Sequence, residues 1–314
     1  MNAGSQSGLG TADVERWPTE MPLFALSVLV SLTLYLFLLV TVIGLIYAGM
    51  FVLFFVIVHA ALFAHVRGSA VRLGPQQLPD LHRRVLELAQ RIGLDDVPDA
   101  YLMQGGGVLN AFAARFLGLK VIVLYSDLLE ACGDNDGARD MIIAHELGHL
   151  KAGHLRHRWL TAPAAIIPFL GGALSRAREY TCDRYGLVGA GERSAAVTGL
   201  TILAAGGAYA RAVNRQALAE QQQDLNTGWI TIGEWMGSHP PLSRRIAALE
   251  PALLGGRVRS QAGRVRAAAI IACFVFAAFF GAYLIAKAVP AYNELVKQQK
   301  ALQEQLQQQA PQRP

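Results

Sequence analysis

The sequence predicts a mostly helical α+β domain with a small β-sheet, attached to helices that are long and apolar enough to cross a membrane. Candidate strands come early in the middle of the chain and helical patterns follow them, the order typical of an α+β domain. Only 16% of the 314 residues are charged, against about 25% in typical soluble domains. This deficit excludes a disordered chain and argues against an ordinary soluble enzyme.

The net charge and the cysteines exclude two further classes of protein. A net charge of +5 is too small to indicate nucleic acid, so we expect no nucleic-acid partner. The three cysteines, Cys132, Cys182 and Cys273, provide neither an even number nor a CxxC motif. We therefore expect no disulfide scaffold, and a reducing compartment for the soluble part.

The longest charge-free stretch lies near the N-terminus. The 46 residues between Glu20 and Arg67 would measure about 69 Å as one helix, whereas the hydrocarbon core of a bilayer is about 30 Å thick. We therefore predict a leader at 1–22 and a transmembrane helical hairpin at 23–66. A signal peptide fits less well because the leader is acidic, and a buried core hairpin is the other alternative.

A second charge-free stretch predicts a third transmembrane helix at 267–287, with a buried core helix as the alternative. The residues that follow, 288–314, form a Gln-rich polar tail. We expect this tail to be a short helix that fades into disorder, and it is a candidate binding segment for an adaptor or a second copy of the chain.

Basic residues near the predicted spans set the orientation in the bilayer. Those on the side of the central domain are Arg16, Arg67, Arg72, Arg83, Arg84, Arg257, Arg259, Arg264 and Arg266, and those on the opposite side are Lys287, Lys297 and Lys300. Because cytoplasmic segments carry the excess of Lys and Arg, we expect an integral multi-pass inner-membrane protein whose domain faces the cytoplasm.

The soluble middle, 67–266, contains the predicted strands and helices of the domain. Apolar spacing predicts helices at Leu78–Ile92, from about Ala138 to Arg158, and at Ser194–Ala210, and strands at Pro98–Gln104, Leu109–Phe116 and Leu119–Tyr125.

One of these helices carries an HExxH motif, in which His145 and His149 lie one turn apart on the same face. Two imidazoles at this spacing can converge on one metal ion. Glu146 follows the first histidine, close enough to act as general base on a water molecule without being a ligand. The motif therefore predicts a zinc hydrolase site.

A catalytic zinc ion needs a third protein ligand. The HExxHxxGxxH pattern is absent because Ala152 and Leu155 stand where it needs Gly and His. His154 and His157 fall outside that register, and we expect them on a helix face or at the membrane surface.

A second helix supplies a better candidate for the third ligand, since Glu179 and Asp183 lie one turn apart on it. Such a pair alone is common on solvated helices, but the HExxH motif upstream favours Glu179 as ligand and Asp183 as hydrogen-bond partner of a ligand histidine. Cys182 between them is either a small core residue, which we favour, or a thiol near the metal.

Four motifs, in this order, resemble those of the HtpX and CAAX-prenyl-protease family of integral-membrane zinc metallopeptidases. They are NAFA at 110–113, HELGH at 145–149, SRAREYTCD at 175–183 and SHPPLSRRI at 238–246. The family often has Ala at the position of Cys182, and Gly is common after NAFA where this chain has Ala114.

The resemblance implies a gluzincin-like fold with one Zn²⁺ per chain, bound by His145, His149 and Glu179, and with Glu146 as catalytic base. It further implies that Asn110 and Ala111 lie on an edge strand that pairs with the substrate. His239 would stabilise the oxyanion or serve as an extra ligand, and Arg245 would position its loop or the substrate.

Residues 159–175 stand where many relatives insert two membrane spans. Since His149 and Glu179 must meet at one ion, the chain between them crosses the membrane an even number of times, and two crossings need about 40 residues. We expect a membrane-surface segment instead, with arginines at its edges: Arg156, Arg158, Arg176 and Arg178.

The favoured function is a zinc-dependent membrane endopeptidase that acts on misfolded or membrane-associated proteins, as in the HtpX branch. Its expected partners are protein or peptide substrates in or near the membrane and the lipid bilayer itself. The alternatives are a CAAX-type peptidase for prenylated proteins and a non-proteolytic membrane scaffold with a latent zinc site.

Overall fold

A computed structural model of the chain describes residues 14–255 and 261–309. The first 13 residues of the predicted leader, the arginines Arg257 and Arg259 and the last five residues of the predicted tail lie outside the described residues. In chain order the helices are α1 (Glu20–Val40), α2 (Val42–Ser69), α3 (Pro79–Arg91), α4 (Ser126–Cys132), α5 (Asp136–Lys151), α6 (Arg158–Ala165), α7 (Leu170–Ala190), α8 (Arg193–Ala210), α9 (Arg215–Glu220), α10 (Gly228–Met236), α11 (Leu242–Leu249) and α12 (Ala262–Gln309). The strands are β1 (Val71–Arg72), β2 (Asp99–Met103), β3 (Ala111–Phe116) and β4 (Leu119–Tyr125).

The prediction of a mostly helical chain with a small sheet is confirmed. The sheet has the order β1-β2-β4-β3, in which β2 and β4 are parallel and the other pairs antiparallel. Successive residues of β4 face opposite sides of the sheet. Ile122 and Leu124 pack in a core with α3, α5 and α7, whereas Val121 and Val123 pack against Phe63 of α2.

Small residues allow α5 and α7 to lie close together. A Cβ atom on Gly189 would overlap the Cβ of Ala144, and one on Gly148 would lie 2.9 Å from the Cβ of Tyr185. This close approach brings the two helices that carry the predicted metal ligands within side-chain reach of each other.

Helix α5 ends at Lys151, earlier than the predicted Arg158, because the chain reverses at Gly153. Gly153 has a φ of +75°, its N–H donates to Leu150 O, and the N–H of His154 donates to His149 O. These two bonds define a Schellman motif, which folds the residue after the glycine back onto the last helical turn. The expectation that His154 lies on a helix face or at the membrane surface is wrong, since it is buried.

In the part of the chain that the structure describes, three helices have the length and composition needed to cross a membrane: α1, α2 and the part of α12 from Ala262 to Ala301. A single residue, Thr41, separates α1 from α2, and its hydroxyl accepts a hydrogen bond from Gly44 N–H. Helix α12 continues through the predicted polar tail to Gln309, because Gln, Lys, Glu and Leu are good helix formers.

The segment at 159–175 forms most of α6, a turn and the start of α7. Helix α6 packs against α1, where Ala164 N–H donates to Ser31 Oγ and the Tyr35 hydroxyl donates to Trp159 O.

The described residues form two units, 14–225 with 233–255 and 226–232 with 261–309. The larger unit contains the sheet, α1 to α9, α11 and the predicted site. In the smaller unit, Trp229 packs edge-on against Phe274 of α12, with 6.2 Å between the ring centroids.

Candidate metal centre

The three predicted metal ligands meet between α5 and α7. Glu179 Oε2 lies 3.4 Å from His145 Nε2, and Glu179 Oε1 lies 3.5 Å from His149 Nε2. His145 and Glu179 are buried, and His149 is partly exposed towards a cleft. The HExxH spacing and the close helix pair together produce a set of two nitrogens and one carboxylate.

This donor set fits a zinc ion. Bonds of about 2.0–2.1 Å in a tetrahedral site place neighbouring ligand atoms about 3.3–3.4 Å apart, close to the separations between Glu179 and the two histidines. Two imidazoles and one carboxylate are the ligands of a known class of catalytic zinc sites. His239 is exposed, and its Nε2 lies 3.6 Å from Glu179 Oε1, at the open side of the set.

Asp183 and Arg245 support the ligands from behind. Asp183 Oδ1 lies 3.1 Å from His145 Nδ1, so this nitrogen keeps its proton and Nε2 is the ring nitrogen that faces the metal position, where a metal ion would replace its proton. Arg245 donates to both oxygens of Asp183, and its Nη1 lies 3.5 Å from Glu179 Oε2. Arg245 is buried, so the structure places it against the ligands as well as in the lining of the cleft.

The histidines and carboxylates of this site shift one another's pKa values. Although burial lowers the pKa of His145, its hydrogen bonds to Asp183 and Glu179 raise that pKa to about 9. Burial opposes ionisation of Glu179, but the two neighbouring histidines hold its pKa well below the usual value. Glu179 is therefore ionised where it faces both histidines.

Glu146 lies beside the ligands without joining them. Its carboxyl group lines the same cleft, and burial raises its pKa above the ordinary value. A carboxylate with raised proton affinity next to a metal position is suited to accept a proton from water.

The cleft beside this site has a volume of about 260 Å³ and is bordered by the start of β3. Asn110 and Ala111 line it, and Asn110 Oδ1 accepts a hydrogen bond from Ala111 N–H. The outer edge of β3 has no partner strand among the residues that the structure describes. An extended peptide could therefore pair with this edge while passing the ligands.

The loop that carries His239 is held by residues that sequence reasoning missed. Arg176, which we expected at the edge of a membrane-surface segment, donates from Nη1 to the backbone carbonyls of Glu234, Trp235 and Gly237. Arg244 forms a buried ion pair of 2.6 Å with Glu234. Because the acceptors of Arg176 are backbone carbonyls, no residue pattern in the sequence marks this contact.

Cys182 is fully buried and lies near His154, with Sγ 3.6 Å from Nδ1. It belongs to a second cluster with His149 and His154, and not to the set formed by His145, His149 and Glu179.

Comparisons with known proteins match the chain to one family, and a curated protein and a solved structure are among those similar to it. A sequence model described as "Peptidase family M48" matches residues 75–164 and 159–252. A plastoglobule-localized metallopeptidase 48 of the chloroplast of Arabidopsis thaliana is 31% identical over 178 residues, which is 51% of this chain and 50% of that protein. The chain thus spans about half the length of this curated relative. The crystal structure of S. mikatae Ste24p matches with a TM-score of 0.39 and 15% identity, covering 73% of this chain and 62% of that one.

Proposed function

The chain belongs to peptidase family M48, and from this premise we propose that it is a zinc-dependent endopeptidase with a gluzincin-like site. The observation that carries the proposal is the set formed by His145, His149 and Glu179, with Glu146 in the same cleft. The family match agrees with the resemblance of the four sequence motifs and supports a membrane metalloprotease. The zinc ion and the internal cleavage are our proposal.

The proposed mechanism divides the work among a few residues. A zinc ion held by His145, His149 and Glu179 would supply Lewis acidity, which acidifies water and polarises a peptide carbonyl. Glu146 accepts a proton from the attacking water and delivers it to the leaving amine. His239 donates a hydrogen bond to the carbonyl oxygen as negative charge develops on it.

The surroundings of the cleft suggest the substrate class. We propose that an extended segment pairs with the edge of β3 at Asn110 and Ala111. Because α1 and α2 belong to the same unit and can span a bilayer, the proposed substrates are misfolded or membrane-associated proteins. The proposed location is the inner membrane with the site on the cytoplasmic side, and the polar end of α12 is the proposed contact for an adaptor or a second copy.

The test is the Glu146→Gln variant of the full chain, purified in detergent. We expect it to bind one zinc ion per chain like the wild type, while cleavage of an unfolded casein falls by at least about a hundredfold. Glu130→Gln, an exposed carboxylate on α4, is the matched control and should cleave normally. Peptide mapping should find internal cleavage sites, and undiminished cleavage by Glu146→Gln would contradict the proposal.

A further inference from the structure

The second ligand histidine has a supporting chain that reaches the first apolar helix. His149 Nδ1 lies 3.1 Å from His154 Nδ1, and His154 Nε2 lies 3.1 Å from Glu20 Oε1. His154 and Glu20 are both buried. We propose that Glu20 and His154 are positioning residues that fix the tautomer and the orientation of His149 for zinc; this inference rests on the proposed zinc site.

For a neutral His154, the hydrogen-bond geometry allows one consistent arrangement of protons. An ionised carboxylate only accepts hydrogen bonds, so His154 Nε2 carries a proton towards Glu20. Two protons cannot point at each other across the contact between the Nδ1 atoms, so His154 Nδ1 accepts and His149 Nδ1–H donates. His149 Nε2 is then left with its lone pair on the side of Glu179, as a zinc ligand requires.

Both ligand histidines are thus linked by hydrogen bonds to a carboxylate, one directly and the other through a second histidine. His145 donates directly to a carboxylate, Asp183, whereas His149 reaches its carboxylate, Glu20, through an intervening imidazole. The Schellman turn at Gly153 makes this possible because it folds His154 back beneath His149.

Hydrogen bonds connect Glu20 directly to α7 and, through Arg16, to the end of α5. Its carboxylate accepts hydrogen bonds from Thr181 Oγ1 on α7 and from Arg16, which also donates to Ala152 O at the end of α5. Trp17, just before α1, stacks on Tyr180 with 4.4 Å between centroids. The start of the first apolar helix is therefore anchored where the ligand helices meet.

A competing interpretation is a second metal site formed by His149, His154 and Cys182, whose donor atoms also lie close together. In that case His154 Nδ1 would be a ligand and could not accept from His149. The two interpretations predict different stoichiometries, since the positioning role requires one zinc ion per chain and no effect of Cys182→Ala on affinity.

The test measures zinc affinity of the purified full chain by competition with a chelator. We expect His154→Leu and Glu20→Leu each to weaken zinc binding by about 10–100-fold, the usual effect of losing such a partner. His154→Asn can still offer an oxygen to His149 Nδ1–H and should stay within about threefold of the wild type. Asp140→Asn removes a buried carboxylate elsewhere on α5 and is the matched control, with unchanged affinity.

A double-mutant cycle separates the chain of hydrogen bonds from a general packing role. If Glu20 acts through His154, Glu20→Leu should add less than about twofold in the His154→Leu background. Fully additive effects, two zinc ions per chain, or unchanged affinity in folded single variants would overturn the inference. If His154→Leu fails to fold, the zinc affinity of Glu20→Leu is compared in the wild-type and the His154→Asn backgrounds. We then expect Glu20→Leu to weaken zinc binding only in the wild-type background. A wild-type chain that binds no zinc would instead refute the proposed function.

Discussion

Arg176 Nη1 donates a hydrogen bond of 2.5 Å to the backbone carbonyl of Gly237, two residues before His239. The same nitrogen contacts the carbonyls of Glu234 and Trp235, each at 2.8 Å. Because Arg176 and Glu179 lie one turn apart on α7, a single helix positions both a metal ligand and the loop that brings His239 to the cleft.

Replacing Arg176 by Met should release this loop while leaving the metal ligands in place. We expect kcat to fall about tenfold, since a misplacement of about 1 Å in a catalytic group can cost about a hundredfold, while the zinc content stays at the wild-type value. The measurement is steady-state kinetics on a fluorogenic peptide together with metal analysis. Arg91→Met is the control, because Arg91 also donates to a carbonyl, that of Gly189 at the far end of α7. An unchanged kcat in Arg176→Met would contradict the role of the loop.

The edge of β3 offers a test of substrate pairing. Tyr125 N–H donates to Asn110 O, and backbone hydrogen bonds alternate along an antiparallel pair. The backbone N–H and C=O groups of Phe112 and Ala114 therefore point towards β4, whereas those of Ala111 and Ala113 point outwards. Ala113→Pro removes an outward N–H, which an edge strand tolerates. We expect KM for an extended peptide to rise about tenfold, the loss of about 1.4 kcal/mol, with zinc content and folding retained.

The neighbouring position is the control for this edge. Ala114→Pro removes an N–H that faces β4, so it should lower the thermal midpoint of the protein instead of acting through KM alone. If Ala113→Pro leaves KM unchanged, the substrate does not pair with the edge at that residue.

The parts that could be predicted from the sequence depend on local spacing. The interval between His145 and His149 places two imidazoles on one face, and a continuous apolar run rich in β-branched residues identifies β4 with its correct bounds, Leu119–Tyr125. The role of Glu20 could not be predicted in this way, because its partner His154 is 134 residues away and reaches it only through a turn at Gly153. The contact of Arg176 with the His239 loop could not be predicted either, since its three acceptors are backbone carbonyls, which carry no sequence signal.

Removal of zinc should destabilise the protein, because the ligands converge only in the folded chain. Zinc at about a hundred times its dissociation constant would stabilise the folded state by about 2.7 kcal/mol. For a domain of this size, that corresponds to a fall of about 5–11 °C in Tm when a chelator is added. The measurement is thermal unfolding of the purified protein with and without a chelator, followed by readdition of zinc.

Two isosteric variants distinguish a metal ligand from the general base in this experiment. Glu179→Gln should abolish the zinc-dependent shift in Tm, because it removes the carboxylate that faces both His145 and His149. Glu146→Gln should keep the full shift and should raise Tm slightly without zinc, because burial disfavours the ionised form of Glu146 and the amide needs no ionisation. Loss of the shift in Glu146→Gln would show that Glu146 binds the metal, and a full shift in Glu179→Gln would remove Glu179 from the ligand set.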